Sequence, residues 1–131
     1  MGRTVTEEDV ARFAELSGDH HRLHVDAAFA AGTRYGRPIA HGLLTAALAS
    51  GLLYAGGVIT DDVDALVEVK LQFLAPVVPG DELADETHLV ESRPTRNGGR
   101  LERYESLLST GGERPVLRAE WLLLRREPEG A

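Results

Sequence analysis

Cysteine is absent from the 131 residues. That single absence removes disulfide frameworks, iron–sulfur clusters, thiolate zinc sites and cysteine nucleophiles, and nothing points to an oxidising compartment. A cytoplasmic protein is expected. Lysine is nearly absent as well, since Lys70 is the one cation among fourteen that is not arginine. Against twenty-one Asp and Glu these leave a net charge of −7, a field that opposes phosphate backbones and anionic lipid, so neither nucleic acid nor membrane is expected as a partner. Met1 to Thr6 has no apolar stretch of the kind a signal peptide needs. The longest apolar run, Gly42 to Ile59, is interrupted by Thr45, Ser50, Tyr54 and several glycines; it reads as a buried helix rather than a membrane span.

What is present is the balance of a soluble globular domain, 43% hydrophobic and 27% charged. The length suits one domain over residues 1–131 with a core of its own. Thr6 caps a first helix, with Asp9 completing a capping box and Val10, Phe13, Ala14 and Ser17 on one face; Gly18 ends it. Residues 19–25 are polar and non-helical, after which Asp26 caps a short helix through Ala31. Tyr35 to Pro38 is a loop. His41-Gly42 then opens a segment, Leu43 to Tyr54, that is apolar on all sides and must be wrapped by other structure; Gly56-Gly57 stops it.

From Val63 the period changes to two. Val63, Ala65, Val67, Val69, Leu71 and Phe73 define one buried face of a long strand. Further strands are expected near 82–92, 100–109 and 115–126, separated by turns at Asn97-Gly98-Gly99 and Gly111-Gly112. The fold class is α+β: an antiparallel sheet curled round one apolar helix. Its exposed edge and outer face imply a dimer. Trp121 and Phe73 are assigned to the core or a dimer interface, His88 to the surface, and the charged tail from Arg125 to Ala131 to a frayed end.

Reactive residue types concentrate in Asp19-His20-His21-Arg22-Leu23-His24-Val25-Asp26, with Ala40-His41-Gly42 and Ser50 downstream. Asp19 and His24 are spaced to face one substrate as an acid–base pair. Equally open is a bland reading in which Asp19 is a turn residue, His24 a bonded loop histidine and His41 the start of a helix. A metal site from His20, His21, His24 and Asp26 is disfavoured because no second, separated ligand pair follows. No metal or redox cofactor is expected.

The stretch from Ser17 to Asp26, then Arg37-Pro38-Ile39-Ala40-His41-Gly42-Leu43-Leu44, then Ser50-Gly51-Leu52-Leu53, resembles the MaoC-like (R)-specific enoyl-CoA hydratases of the hotdog fold. Their pattern is D-x-N-P-x-H, followed by a helix opening on A-H-G. Phe73 to Asp81 resembles the family's long strand and turn, so the likeness runs from Thr6 to about Leu124. It implies a hotdog sheet wrapping a central helix, a homodimer or dimer of dimers, and water addition to, or removal from, an acyl thioester. The acyl group would be carried by coenzyme A or by the phosphopantetheine arm of an acyl-carrier protein. Carried over by position, Asp19 and His24 form the dyad, the Gly42 N–H receives the thioester carbonyl and Ser50 lies near the dyad. His41 is a candidate substrate-binding residue.

This chain departs from the pattern where His21-Arg22 stands in place of Asn-Pro. Either His21 braces the turn, or His21 and Arg22 face the pocket and reshape substrate preference, or the dyad geometry is lost. Arg34 and Arg37 flank the loop and are candidates for phosphate contacts. Two other classes remain in view. A hotdog thioesterase would need a carboxylate on the central helix, and Gly42 to Tyr54 carries none; a non-catalytic ligand-binding protein would retain the pocket without turnover.

Overall fold

The first helix forms where the sequence supplies its own cap. In the computed structural model, which describes residues 2–126, Thr6 is the N-cap of α1 (Glu7–Ser17), its hydroxyl accepting the Asp9 N–H while the Asp9 carboxylate accepts the Thr6 N–H. This reciprocal box satisfies two donors that would otherwise be orphaned. Arg3 adds a two-pronged ion pair to the same carboxylate, both contacts 2.9 Å. The Arg3 hydrogen bond is the main reason the Asp9 pKa falls from an ordinary 3.8 to about 2. Gly18 closes α1 at φ 79°, a left-handed conformation that favours glycine.

Two short helices follow, α2 (Arg22–Val25) and α3 (Ala27–Ala31). The expectation that residues 19–25 are non-helical is corrected here: side-chain caps wind four of them into one turn. Asp26 starts α3 as expected, accepting the Phe29 N–H at 3.0 Å. The central helix α4 (Gly42–Ala55) ends against Gly56 and Gly57.

The strands are β1 (Gly2–Thr4), β2 (Val63–Phe73), β3 (Glu82–Pro94), β4 (Arg100–Thr110) and β5 (Arg114–Arg125). They form one antiparallel sheet in the order β1-β3-β4-β5-β2. The glycines in the β3–β4 and β4–β5 turns take positive φ at Gly98, Gly111 and Gly112, as tight hairpin connections require. The sheet presents Leu83, Leu108, Leu117, Ala119 and Trp121 to the core, where they cluster with Leu44, Ala49, Leu52 and Leu53 of α4. This is the hotdog arrangement.

Two burial expectations fail for a common reason. One sheet covers only one side of α4, so Leu44, Thr45, Ala46, Ala49, Leu52 and Leu53 are buried while Leu43 and Tyr54 are more than 60% exposed. The face expected for β2 is open too: none of its side chains is fully buried, and Leu66, Val67, Val69 and Phe73 are exposed. β2 is an edge strand, and an irregularity between Leu66 and Glu68 breaks the strict alternation. Trp121 is core as expected, its indole N–H donating to Ser106 Oγ at 2.9 Å, and His88 is on the surface.

The tail expectation is corrected at its start. Arg125 ends β5 inside a dense ion cluster with Asp62 and Glu102, both at 2.6 Å, and Arg126 pairs with Asp64. The remainder of that tail, 127–131, lies outside the described residues. No helix among the described residues is long and apolar enough to cross a membrane.

Candidate active site

The site is assembled where α1 ends, α2 turns and α4 begins. Asp19 follows the α1 C-cap on an exposed stretch, its N–H held by Ser17 Oγ and its Oδ1 accepting the His21 N–H at 3.1 Å. His21 is the N-cap of α2, with Nδ1 accepting the Leu23 N–H at 2.9 Å. Of the readings open for His21-Arg22, this geometry is the brace. Arg22 turns the other way, pairing with Asp26 at 3.1 Å and resting its guanidinium 4.6 Å from the Phe29 ring centroid.

Within α2, His24 places Nδ1 2.7 Å from the Ile39 carbonyl. A carbonyl only accepts, so Nδ1 carries the proton and Nε2 is left with its lone pair. The His24 pKa is lowered, first by burial and further by the neighbouring His41, which keeps the ring neutral and basic at Nε2. His41 directly precedes α4 and is 2% exposed. Its Nε2 donates to the Asp19 carbonyl at 2.9 Å, while its Nδ1 is buried without a partner. Phe13 packs against one side of His41 (ring centroids 4.9 Å apart) and His24 stacks on it at 3.9 Å.

Asp19, His24 and His41 thus converge, with one donor atom of each within 4.8 Å of the others. Their chemistry invites a metal, but the geometry fits one poorly. The two imidazole planes are 26° apart and stacked, so their in-plane lone pairs run side by side instead of meeting at one point about 2 Å from each nitrogen. The set His20, His21, His24 and Asp26 does not converge either. His20 lies 3.8 Å from Glu15, His21 caps α2 and Asp26 caps α3.

Gly42 is the first residue of α4, whose start has no side-chain cap. Its backbone N–H therefore belongs to the group of helix-end donors that favour negative charge. A Cβ at this position would come within 2.9 Å of the Phe73 ring, so the half-exposed ring would have to move to admit one. Gly42 borders a cavity of about 300 Å³ together with Thr45, Phe73, Ile39 and, at the rim, Arg34 and Tyr35. Arg34 donates to the Tyr35 hydroxyl at 2.8 Å. Arg37 sits apart, reaching the Pro79 carbonyl at 3.3 Å beside a second cavity of about 280 Å³ that His24 also borders.

Ser50 is eight residues beyond Gly42, about 12 Å along the helix axis, and its hydroxyl donates back to the Ala47 carbonyl at 2.6 Å. Sequence reasoning missed Thr45, 3% exposed beside Gly42, and the carbonyl of Ile39. A hydroxyl in the otherwise apolar first turn of α4 was an available signal for Thr45. The Ile39 carbonyl carries no side-chain signature.

Comparisons with known proteins identify the family and the fold. A family model described as "MaoC like domain" matches residues 1–109. The (R)-specific enoyl-CoA hydratase of Aeromonas caviae is 45% identical over 89 residues, covering 66% of this chain and 65% of that protein. The 3-hydroxybutyryl-CoA dehydratase of Methylorubrum extorquens is 36% identical over 101 residues, covering 77% and 63%. The matched stretches thus span just under two thirds of the length of both relatives. An X-ray structure described as a monoamine oxidase regulatory protein, from Archaeoglobus, superposes with a TM-score of 0.91 at 32% identity, covering 98% of this chain and 86% of that one. By the family match over most of its length and by its fold, the chain belongs to the MaoC-like domain family.

Proposed function

We propose that this chain is a hydro-lyase that adds water to a 2-enoyl thioester or removes it from a 3-hydroxyacyl thioester. The observation that carries the reading is the tautomer of His24: Nδ1–H is committed to the Ile39 carbonyl, so a neutral Nε2 is free to accept a proton, and a carboxylate oxygen of Asp19 lies within 4.8 Å of a ring nitrogen. The two groups hold one water. As its oxygen bonds to the β-carbon, its proton passes to the dyad, and the double-bond electrons move through the α-carbon onto the thioester oxygen. The Gly42 N–H at the start of α4 stabilises that developing oxyanion. A proton from the dyad then goes to the α-carbon, and the net change is one added water. Dehydration is the same path reversed. The step is redox-neutral and needs no metal or redox cofactor.

Support for the substrate class comes from the two relatives, both named for acyl-CoA hydration chemistry, and from the apolar lining beside Gly42. The carrier is coenzyme A or the phosphopantetheine of an acyl-carrier protein, with Arg34 at the cavity rim and Arg37 in the adjoining groove as candidate phosphate contacts. The active form is a homodimer. Leu66, Val67, Val69 and Phe73 of β2 and Leu43 and Tyr54 of α4 are each exposed, and β2 ends the sheet with an unpaired strand edge, a combination that calls for a second copy.

The test is hydration of crotonyl-CoA and longer 2-enoyl-CoA substrates, followed by loss of enoyl-thioester absorbance beside a free-thiol assay. Absorbance loss without thiol release is the expected outcome. Thiol release would make the protein a thioesterase, and silence in both channels across chain lengths would leave it a thioester binder.

A further inference from the structure

The turn between Asp19 and His24 is closed by side chains, and one of them can change its protonation. Gly18 leaves α1 in a left-handed conformation, Asp19 Oδ1 accepts the His21 N–H, and His21 Nδ1 accepts the Leu23 N–H at 2.9 Å. Among the described residues, His21 is thereby the only side-chain cap on the one-turn helix that carries His24. Its ring lies 5.8 Å from the His24 ring and meets the Phe29 ring nearly edge-on at 6.2 Å. Arg22 offers no second brace, being engaged with Asp26 and Phe29. Because the Leu23 N–H donates, Nδ1 must be unprotonated for the cap to exist.

We propose, on the reading that Asp19 and His24 are the reacting pair, that His21 is a positioning residue. Its neutral Nδ1 holds α2 closed so that His24 faces Asp19, and protonation of His21 opens the turn and turns the site off. A protonated Nδ1 sets one N–H against another, and a four-residue helix has too few internal bonds to survive that unaided. The charged and titratable groups around His21 are Asp19 and His20 before it, Glu15 of α1 beside His20, Arg22 and His24 in α2, Asp26 at the start of α3, and His41 behind His24. An asparagine at this position would accept the same N–H through its side-chain oxygen without titrating, and alanine would leave the cap empty.

The experiment compares pH–rate profiles for hydration by the wild-type protein, His21→Asn and His21→Ala. It is paired with a pH titration of the Leu23 backbone amide by two-dimensional NMR. His21→Ala is expected to lose on the order of tenfold in kcat at about pH 8, with KM little changed, because a misplaced His24 slows the reaction. His21→Asn recovers most of that loss. Its acid limb moves to lower pH, because the cap on α2 no longer takes a proton. In the wild type the Leu23 amide titrates together with the His21 ring, and in His21→Asn it stays flat. The proposal is overturned if His21→Ala matches the wild type in kcat, if His21→Asn keeps the wild-type acid limb, or if the wild-type Leu23 amide does not move. Inactivity of the wild type toward every 2-enoyl thioester would sink the hydratase reading alone, since the Leu23 titration would still decide whether His21 is the cap.

Discussion

Two polar clusters in this protein have opposite bookkeeping. Around Arg125, Nε donates to Glu102, Nη1 to Asp62 and Thr60, and Nη2 to the Val58 carbonyl, all between 2.6 and 2.8 Å. Burial alone would lower the Arg125 pKa, but hydrogen bonds to Glu102, Asp62 and Tyr104 outweigh it and the pKa is raised. Around His24 the donors and acceptors are left over. Asp19 keeps an exposed carboxylate with one backbone partner, His24 keeps a free Nε2, and His41 buries Nδ1 with none. A cluster whose groups satisfy one another holds structure in place. A cluster whose groups are oriented but unsatisfied is completed by something that arrives, which is the physical signature of a site.

The largest effect that would sharpen this contrast is catalytic. Asp19→Asn and His24→Ala are each expected to lower kcat by about 1,000-fold with little change in unfolding midpoint. Asparagine keeps both Asp19 contacts that support the fold, the backbone carbonyl facing His41 and a side-chain oxygen for the His21 N–H. A large loss of stability in Asp19→Asn would break the comparison. The reverse holds for Arg125→Met, which strands the nearly buried Glu102 carboxylate and is expected to cost about 3 kcal/mol in denaturant unfolding while the folded fraction keeps its turnover.

A smaller effect is expected at Gly42. A methyl there collides with the Phe73 ring, so Gly42→Ala should lower kcat/KM on the order of tenfold by displacing the first turn of α4, and Phe73→Leu in the same chain should restore part of it. The smallest is at Asp9. Asp9→Ala removes half of the capping box and the Arg3 pair, worth about 1 kcal/mol. Because the folded pKa of about 2 lies below the ordinary 3.8, that contribution is present above pH 4 and is lost as pH falls toward 2. The difference in stability between wild type and variant should therefore shrink over that interval.

What could be read from sequence follows the range of the interactions involved. The Thr6–Asp9 box, the Gly18 stop, the Asp26 cap and the glycine hairpins are written within a few residues, and each is found in place. β1 is three residues long and exists through pairing with Leu83 far along the chain, so no local pattern announces it. The period-two pattern of β2 gave the strand but not its burial, which depends on its edge position. In the site, Asp19 and His24 were legible as a spaced pair of reactive types, and one ligand atom of each lies within 4.8 Å of the other. His41 was legible only as part of a motif, and its stacking on His24 needs α4 to meet α2 in space. The α2 turn escaped because histidine is an uncommon cap, and Arg125 because partners at 58, 60, 62, 102 and 104 are gathered only by the closed sheet.

The most direct test of the central claim is to run one turnover on a 2-enoyl-CoA in heavy-oxygen water and locate the label by mass spectrometry. The account expects heavy oxygen on the β-carbon of an intact 3-hydroxyacyl thioester, abolished by Asp19→Asn. Heavy oxygen in a released carboxylate, or label at the β-carbon that persists in Asp19→Asn, would contradict it.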